Sequence, residues 1–333
     1  MRKFALAMGI ALAISFPAAE VVAKDAKEFE VKDKGALQGA GQVAVVAFNV
    51  GFIFESIDQT KKTGGLMGAF GGTTKAQSKL VGVTPEMMQA ITDAAYADFT
   101  ARLAAAGMTV IAPATVFASE TMAKAGSDRG PSEESIQLEK KSKGKAVFYA
   151  PSALPIQVIL PGDVSLGGGF GSIGSNMKAT RSALAVGTYA KESGVPAVDV
   201  IYLIDFSDQK RPGAFSFGGS LKVNANLSVV PDLSKVTVIG ANGKQNQVVI
   251  TSPMSVDGEF IEVADASTGA AKATQSAANV AGGLAAAAGI GLPMFGKTRK
   301  FEFTANGEQY QAGAVALVGN ANERIVAQMA AQR

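Results

Sequence analysis

Ala197-Val198-Asp199-Val200-Ile201-Tyr202-Leu203-Ile204-Asp205-Phe206 is the stretch whose reading decides the fold. So dense a run of β-branched and aromatic residues predicts a strand covered on both faces. After the turn-forming Asp208-Gln209-Lys210-Arg211-Pro212-Gly213, strict alternation predicts a long amphipathic strand. Phe215, Phe217, Gly219, Leu221, Val223, Ala225, Leu227 and Val229 fall on one face, with Ser216, Gly218, Ser220, Lys222, Asn224, Asn226 and Ser228 on the other. Pro231-Asp232 interrupts the pattern, residues 236–239 resume it, Ala241-Asn242-Gly243-Lys244 turns and 248–250 returns. An antiparallel meander therefore follows the buried strand. The expected fold class is α/β in the α+β sense, a mixed sheet with flanking helices and an antiparallel meander.

Upstream, Val43-Ala44-Val45-Val46-Ala47-Phe48 predicts a first strand, and residues 49–80 read as a long insertion with apolar residues between glycines. Thr84-Pro85-Glu86 starts a helix, with Thr as cap and Pro at the first helical position; Met88, Ile91, Ala95, Phe99 and Leu103 follow at helical spacing. Gly107 ends it before a strand at 108–112. A second helix is expected over 115–125, a polar loop over 126–144, strands at 146–149 and 156–160, and a helix over 176–192 that delivers the chain into the buried strand. Beyond the meander come a strand at 259–264, an Ala/Gly-rich helix over 270–291 whose one charge is Lys272, a strand at 297–303 and a closing helix over 313–332.

At the N-terminus, Arg2-Lys3 precede an apolar run from Phe4 to Phe16, Pro17 breaks it, and Val21-Val22-Ala23 offers a small-residue cleavage site before Lys24. That is the pattern of a secretory signal peptide, too short to span a bilayer comfortably. The expected organisation is a signal peptide at 1–23, an extension at 24–41, an α/β envelope domain with glycine-rich insertions at 42–265, and the Ala/Gly-rich helix, final strand and closing helix at 266–333. The expected location is the periplasm, or the periplasmic face of the outer membrane, of a Gram-negative bacterium. With no cysteine in the chain there is neither a disulfide nor a lipidated N-terminal cysteine. The 31 basic and 28 acidic residues nearly cancel and are scattered, so no nucleic-acid partner is expected.

The absence of His and Cys removes the commonest general base, the commonest transition-metal ligand, the thiolate nucleophile and the Ser-His-Asp arrangement together. No catalytic residue, metal or cofactor is therefore assigned, and the chain reads as non-enzymatic. A hydrolase using carboxylates or a Ser/Lys pair stays as a rival, although Glu133-Glu134 and Asp257/Glu259 sit in turn-like surroundings. Gly169-Phe170-Gly171-Ser172-Ile173-Gly174 matches G-x-G-x-x-G literally, but the preceding strand is weak and the next strand-end acid, Asp205, comes too late for a dinucleotide site.

The unusual feature is a set of apolar glycine-rich segments around 64–72, 166–174 and 277–291. They are either flexible loops and a buried small-residue helix, or surfaces that touch a membrane or neighbouring subunits. On the second reading the candidate membrane or subunit interface comprises Leu66, Met67, Phe70, Phe170, Ile173, Phe215, Phe217, Leu221 and Val223. The strand 215–229 is long enough for a transmembrane barrel, and its alternation equally fits a half-covered antiparallel sheet.

The order of elements carried by Val43-Ala44-Val45-Val46-Ala47-Phe48, Gly107-Met108-Thr109-Val110-Ile111-Ala112-Pro113 and Ala197-Val198-Asp199-Val200-Ile201-Tyr202 resembles the periplasmic domain of the curli-secretion channel family. It is also similar to the amino-terminal domain of the Tol-system translocation protein. The resemblance spans about residues 42–250 and implies an envelope protein that oligomerises and assists secretion or outer-membrane assembly. The missing lipidation cysteine departs from the curli channel. The function expected is thus a non-enzymatic oligomeric or membrane-proximal envelope component, with envelope proteins or further copies of itself as partners and membrane contact as an open alternative. A soluble periplasmic carrier of an apolar small molecule or lipid is the other reading.

Overall fold

The computed structural model describes residues 27–61, 73–139, 142–164, 170–208, 224–256, 258–266 and 297–333. In chain order the elements are β1 (Phe29–Lys32), β2 (Gln42–Lys61), β3 (Thr73–Val81), α1 (Pro85–Ala105), β4 (Thr109–Val110), α2 (Pro113–Phe117), α3 (Glu120–Ala123), β5 (Ser127–Asp128), β6 (Ser132–Glu139), β7 (Ser142–Tyr149) and β8 (Ile156–Gln157). They continue with α4 (Phe170–Ser193), β9 (Ala197–Asp208), β10 (Asn224–Val229), β11 (Lys235–Ile239), β12 (Gln245–Ile250), β13 (Met254–Val256), β14 (Ile261–Asp265), β15 (Lys297–Ala305) and α5 (Gly307–Ala330).

β9 is central, as its apolar run predicts. Every residue from 197 to 204 is buried, and the strand runs parallel to β2 from Ala44↔Ala197 to Phe52↔Ile204. On its other edge it pairs antiparallel with β11 and then, further along, with β10. The main path across the sheet is β1-β12-β11-β9-β2-β3-β15-β14, with β4 and the β7-β6 hairpin on the second edge of β2 and β13 beside β10. The meander is present: β11 pairs with β12 from Lys235↔Val249 to Ile239↔Gln245, across a turn in which Gly243 takes φ 76°.

Two neighbouring residues of β2 show that it is buried on both sides. Phe48 packs against Tyr96 and Phe99 of α1 and Tyr202 of β9, with ring centroids 5.6, 5.7 and 6.0 Å apart. Asn49 points the other way, donating to the Val158 carbonyl at 2.8 Å and accepting from Gln157 at 3.1 Å. Alternation along a strand sends these residues to opposite faces. α1 and α5 cover the first face, where the Tyr202 hydroxyl donates to Asn322 Oδ1 at 2.8 Å. The chain around β8, together with α4, covers the second. α1 is bounded as its sequence signals: Thr84 Oγ1 accepts from the Met87 N–H at 3.3 Å, and Gly107 at φ 78° carries the chain out into β4.

Several expectations are corrected. Residues 49–61 and 73–80, expected within an insertion, are sheet strands: β2 continues to Lys61 and β3 returns from Thr73, antiparallel to it. The alternation there is inverted, for Ser56 and Asp58 are buried at 1% and 5% while Ile57 is 39% exposed, which hides a strand from a hydropathy reading. The polar loop expected over 126–144 contains β5, β6 and the start of β7, stabilised by β6–β7 pairing rather than by apolar content. The helix over 115–125 is two short ones, α2 and α3, and the strand at 108–112 contracts to β4. α4 starts at Phe170, earlier than expected, and the strand at 156–160 shortens to β8. The strand expected at 297–303 is present as β15, running parallel to β3. The signal peptide at 1–23, the helix over 270–291 and the part of the strand 215–229 before β10 lie outside the described residues.

Candidate functional site

The strand registers place the internal breaks of the described sheet at one end. Lys61 faces Thr73, Asn224 faces Asp208, Glu139 faces Ser142, and Lys297 opens β15 opposite Thr74. β9 runs parallel to β2, and Ser142 stands opposite Asp58. All these ends therefore lie where β2 finishes, here termed the distal end. α4 is oriented likewise: Lys178 acts on Glu134 of β6, while the chain after the helix terminus is fixed at the start of β2 by the Ala44 N–H to Pro196 O bond of 2.9 Å.

Of the sequence-predicted interface residues, Leu66, Met67, Phe70, Phe215, Phe217, Leu221 and Val223 lie outside the described residues. The points at which their segments join the sheet do not, and these sit together at the distal end. Phe170 and Ile173 belong to the opening of α4. Because the helix already begins at Phe170, Gly171 and Gly174 are helical residues and do not form the strand-to-helix turn that a pyrophosphate requires. Among the described residues no group of acids is arranged to hold a metal, and no helix is long and apolar enough to cross a membrane, which says nothing of a β-barrel.

A cavity of about 340 Å³ lies between the first half of α4, β6 and the chain that follows β8. Its wall includes Lys124, Ser132, Glu134, Leu160, Lys178 and Arg181. Lys124 is held by Glu120 at 2.6 Å. The Ser132 hydroxyl is enclosed without a hydrogen-bond partner among the described residues. Burial pushes the Glu134 carboxyl up, and the Lys178 charge opposes that rise.

Behind Leu160 and Gly162 the cavity wall is anchored by a buried trio. Asp163 Oδ2 accepts the Leu160 N–H at 2.6 Å, Asp163 Oδ1 lies 3.4 Å from Lys235 Nζ, and Lys235 donates to the Gly162 carbonyl at 2.5 Å. Asp199 completes the group from β9; its carboxylate oxygens have no hydrogen-bond partner among the described residues. Desolvation and then the Asp163 charge hold the Asp199 carboxyl well above the usual carboxylate range, against the pull of Lys235. Asp163 is also raised, mainly by burial, but is eased by Lys235 and the Leu160 N–H. The proton therefore resides on Asp199, and the negative charge on Asp163 faces the ammonium. Through these contacts the trio ties the loop after β8 to β9 and β11.

Nearer the distal end, the Ser142 hydroxyl donates to Asp58 across the β2–β7 pair. Asp205, on β9, retains some exposed surface, yet desolvation pushes its carboxyl up to about 7. The Phe206 and Ser207 N–H groups oppose that rise and the Asp58 charge adds to it.

Sequence reasoning missed the cavity because one wall is β6, read as a loop. The spacing of Lys178 and Arg181 on a predicted helix was its legible part. Compared with protein-family models, curated proteins and solved structures, the chain has no significant match, so its fold and the placement of these residues are what it offers toward a function.

Proposed function

We propose that the protein is a non-enzymatic cell-envelope component that works through an oligomeric or membrane-proximal surface at the distal end of its sheet, assisting secretion or outer-membrane assembly. The observation that supports this reading is the shared attachment of the segments 62–72, 209–223 and 267–296 at that end. Their residues include Leu66, Met67, Phe70, Phe215, Phe217 and Leu221, an apolar content that water does not favour on a free surface. β2 supports it too: its first half is buried between helical layers, and its second half carries the sheet onward.

The test is the mass of the protein in buffer and after detergent extraction from cell envelopes, combined with labelling of single cysteines in the naturally cysteine-free chain. Lys75→Cys reports on the distal end and Ala104→Cys on the opposite one; both positions are exposed. A closed oligomer in which Lys75→Cys is shielded from a membrane-impermeant maleimide while Ala104→Cys stays reactive is the expected result. A monomer under both conditions, with equal labelling at both positions, would remove the proposal.

A further inference from the structure

The cavity beneath the first half of α4 is lined by residues other than those that carry the distal-end reading. Lys178 and Arg181 stand one helical turn apart and both line it. Ser132 also lines it, its hydroxyl enclosed within the wall. Arg181 has no ion-pair partner among the described residues. Glu134 is the carboxyl in the cavity wall, and Lys178 acts on it; Lys124 is already engaged by Glu120, and Asp163 is turned to Lys235 behind the wall. The balance facing the cavity is positive.

A second depression, of about 410 Å³, shares Asn176 and Arg181 with the cavity and continues over Met177 and Thr180. Met177 is 56% exposed there, so one apolar side chain adjoins the cationic cavity. We propose that cavity and depression form one binding site for a small amphipathic phosphomonoester, its phosphate held by Arg181 and Lys178 and its apolar part lying along Met177. The terminal phosphate oxygens match a guanidinium fork and an ammonium, and the cavity is of the size small-ligand sites have.

Calorimetric titration of the purified full-length chain at low ionic strength tests this, with octyl phosphate below its micelle-forming concentration, inorganic phosphate and octyl glucoside as probes. Octyl phosphate should saturate at one per chain, and octyl glucoside should give no binding. The Lys178→Ala/Arg181→Ala double variant should weaken octyl phosphate by about 30-fold or more. Met177→Ser should weaken it by about 5-fold while leaving inorganic phosphate unchanged. Both substitutions fall on exposed helix positions, so unchanged thermal unfolding will show that the fold persists. No saturable binding of octyl phosphate, or binding that survives the double variant, overturns the site. Equal affinity for inorganic and octyl phosphate overturns the apolar half of the proposal and makes free phosphate the ligand.

Discussion

Lys235 and Asp163 form a buried ion pair, Nζ to Oδ1 3.4 Å, whose side chains are 9% and 1% exposed, and the buried Asp199 carboxyl feels the charges of both. The two acids are unequal because only Asp163 receives both the ammonium and a backbone N–H. Removing the charge of a buried pair leaves its partner uncompensated, whereas an acid that already carries its proton loses little on becoming an amide.

Asp163→Asn should therefore cost about 3 kcal/mol at pH 7 and Asp199→Asn less than about 1 kcal/mol. Urea unfolding of both variants measures this. Equal losses would show that the proton is not held on Asp199.

Asp205 gives a pH dependence whose sign follows from its raised carboxyl. Its folded value of about 7 exceeds the ordinary 3.8, so its contribution to stability is full below about 3.8 and is lost as pH rises through about 7. The upper bound is ~4 kcal/mol, reduced by the solvent contact the residue keeps. Asp205→Asn, which preserves an acceptor for the Phe206 N–H, should match the parent near pH 4 and exceed it in stability at pH 8. Denaturation midpoints at the two pH values decide the matter, and an unchanged difference between parent and variant would show that Asp205 ionises normally.

Gly51 lies under the Phe148 ring: a Cβ built there would stand 2.4 Å from Cε1. Gly51→Ala should destabilise by about 3 kcal/mol, since Phe148 is a buried ring with little room to withdraw. Combining it with Phe148→Leu should recover part of that loss, so the double variant falls short of the sum of the single effects. Additive losses would place the strain elsewhere.

Where the chain obeys hydropathy, its fold was legible. The apolar run of β9, the Thr84-Pro85 start of α1 and the turn at Gly243 stand where local chemistry puts them. Where burial is reversed, it was not. Ser56 and Asp58 face inward because Asp58 receives the hydroxyl of Ser142, 84 residues away in sequence, and β6 is a strand because β7 offers it a ladder. Neither relationship leaves a local pattern. The same misreading of β6 concealed the cavity, one of whose walls it forms.

By itself the sequence determined the elements whose side chains carry their own signal: a doubly covered central strand, a capped amphipathic helix, a meander, and a chemistry without His or Cys. Only the tertiary structure decided that Lys61, Asp208 and Lys297 lie at one end of the sheet, and that Ser132 and Arg181 line one cavity. The reason is physical. Strand periodicity records which face of an element is buried, whereas register and strand order arise from hydrogen bonds between distant residues, for which a hydropathy pattern has no term.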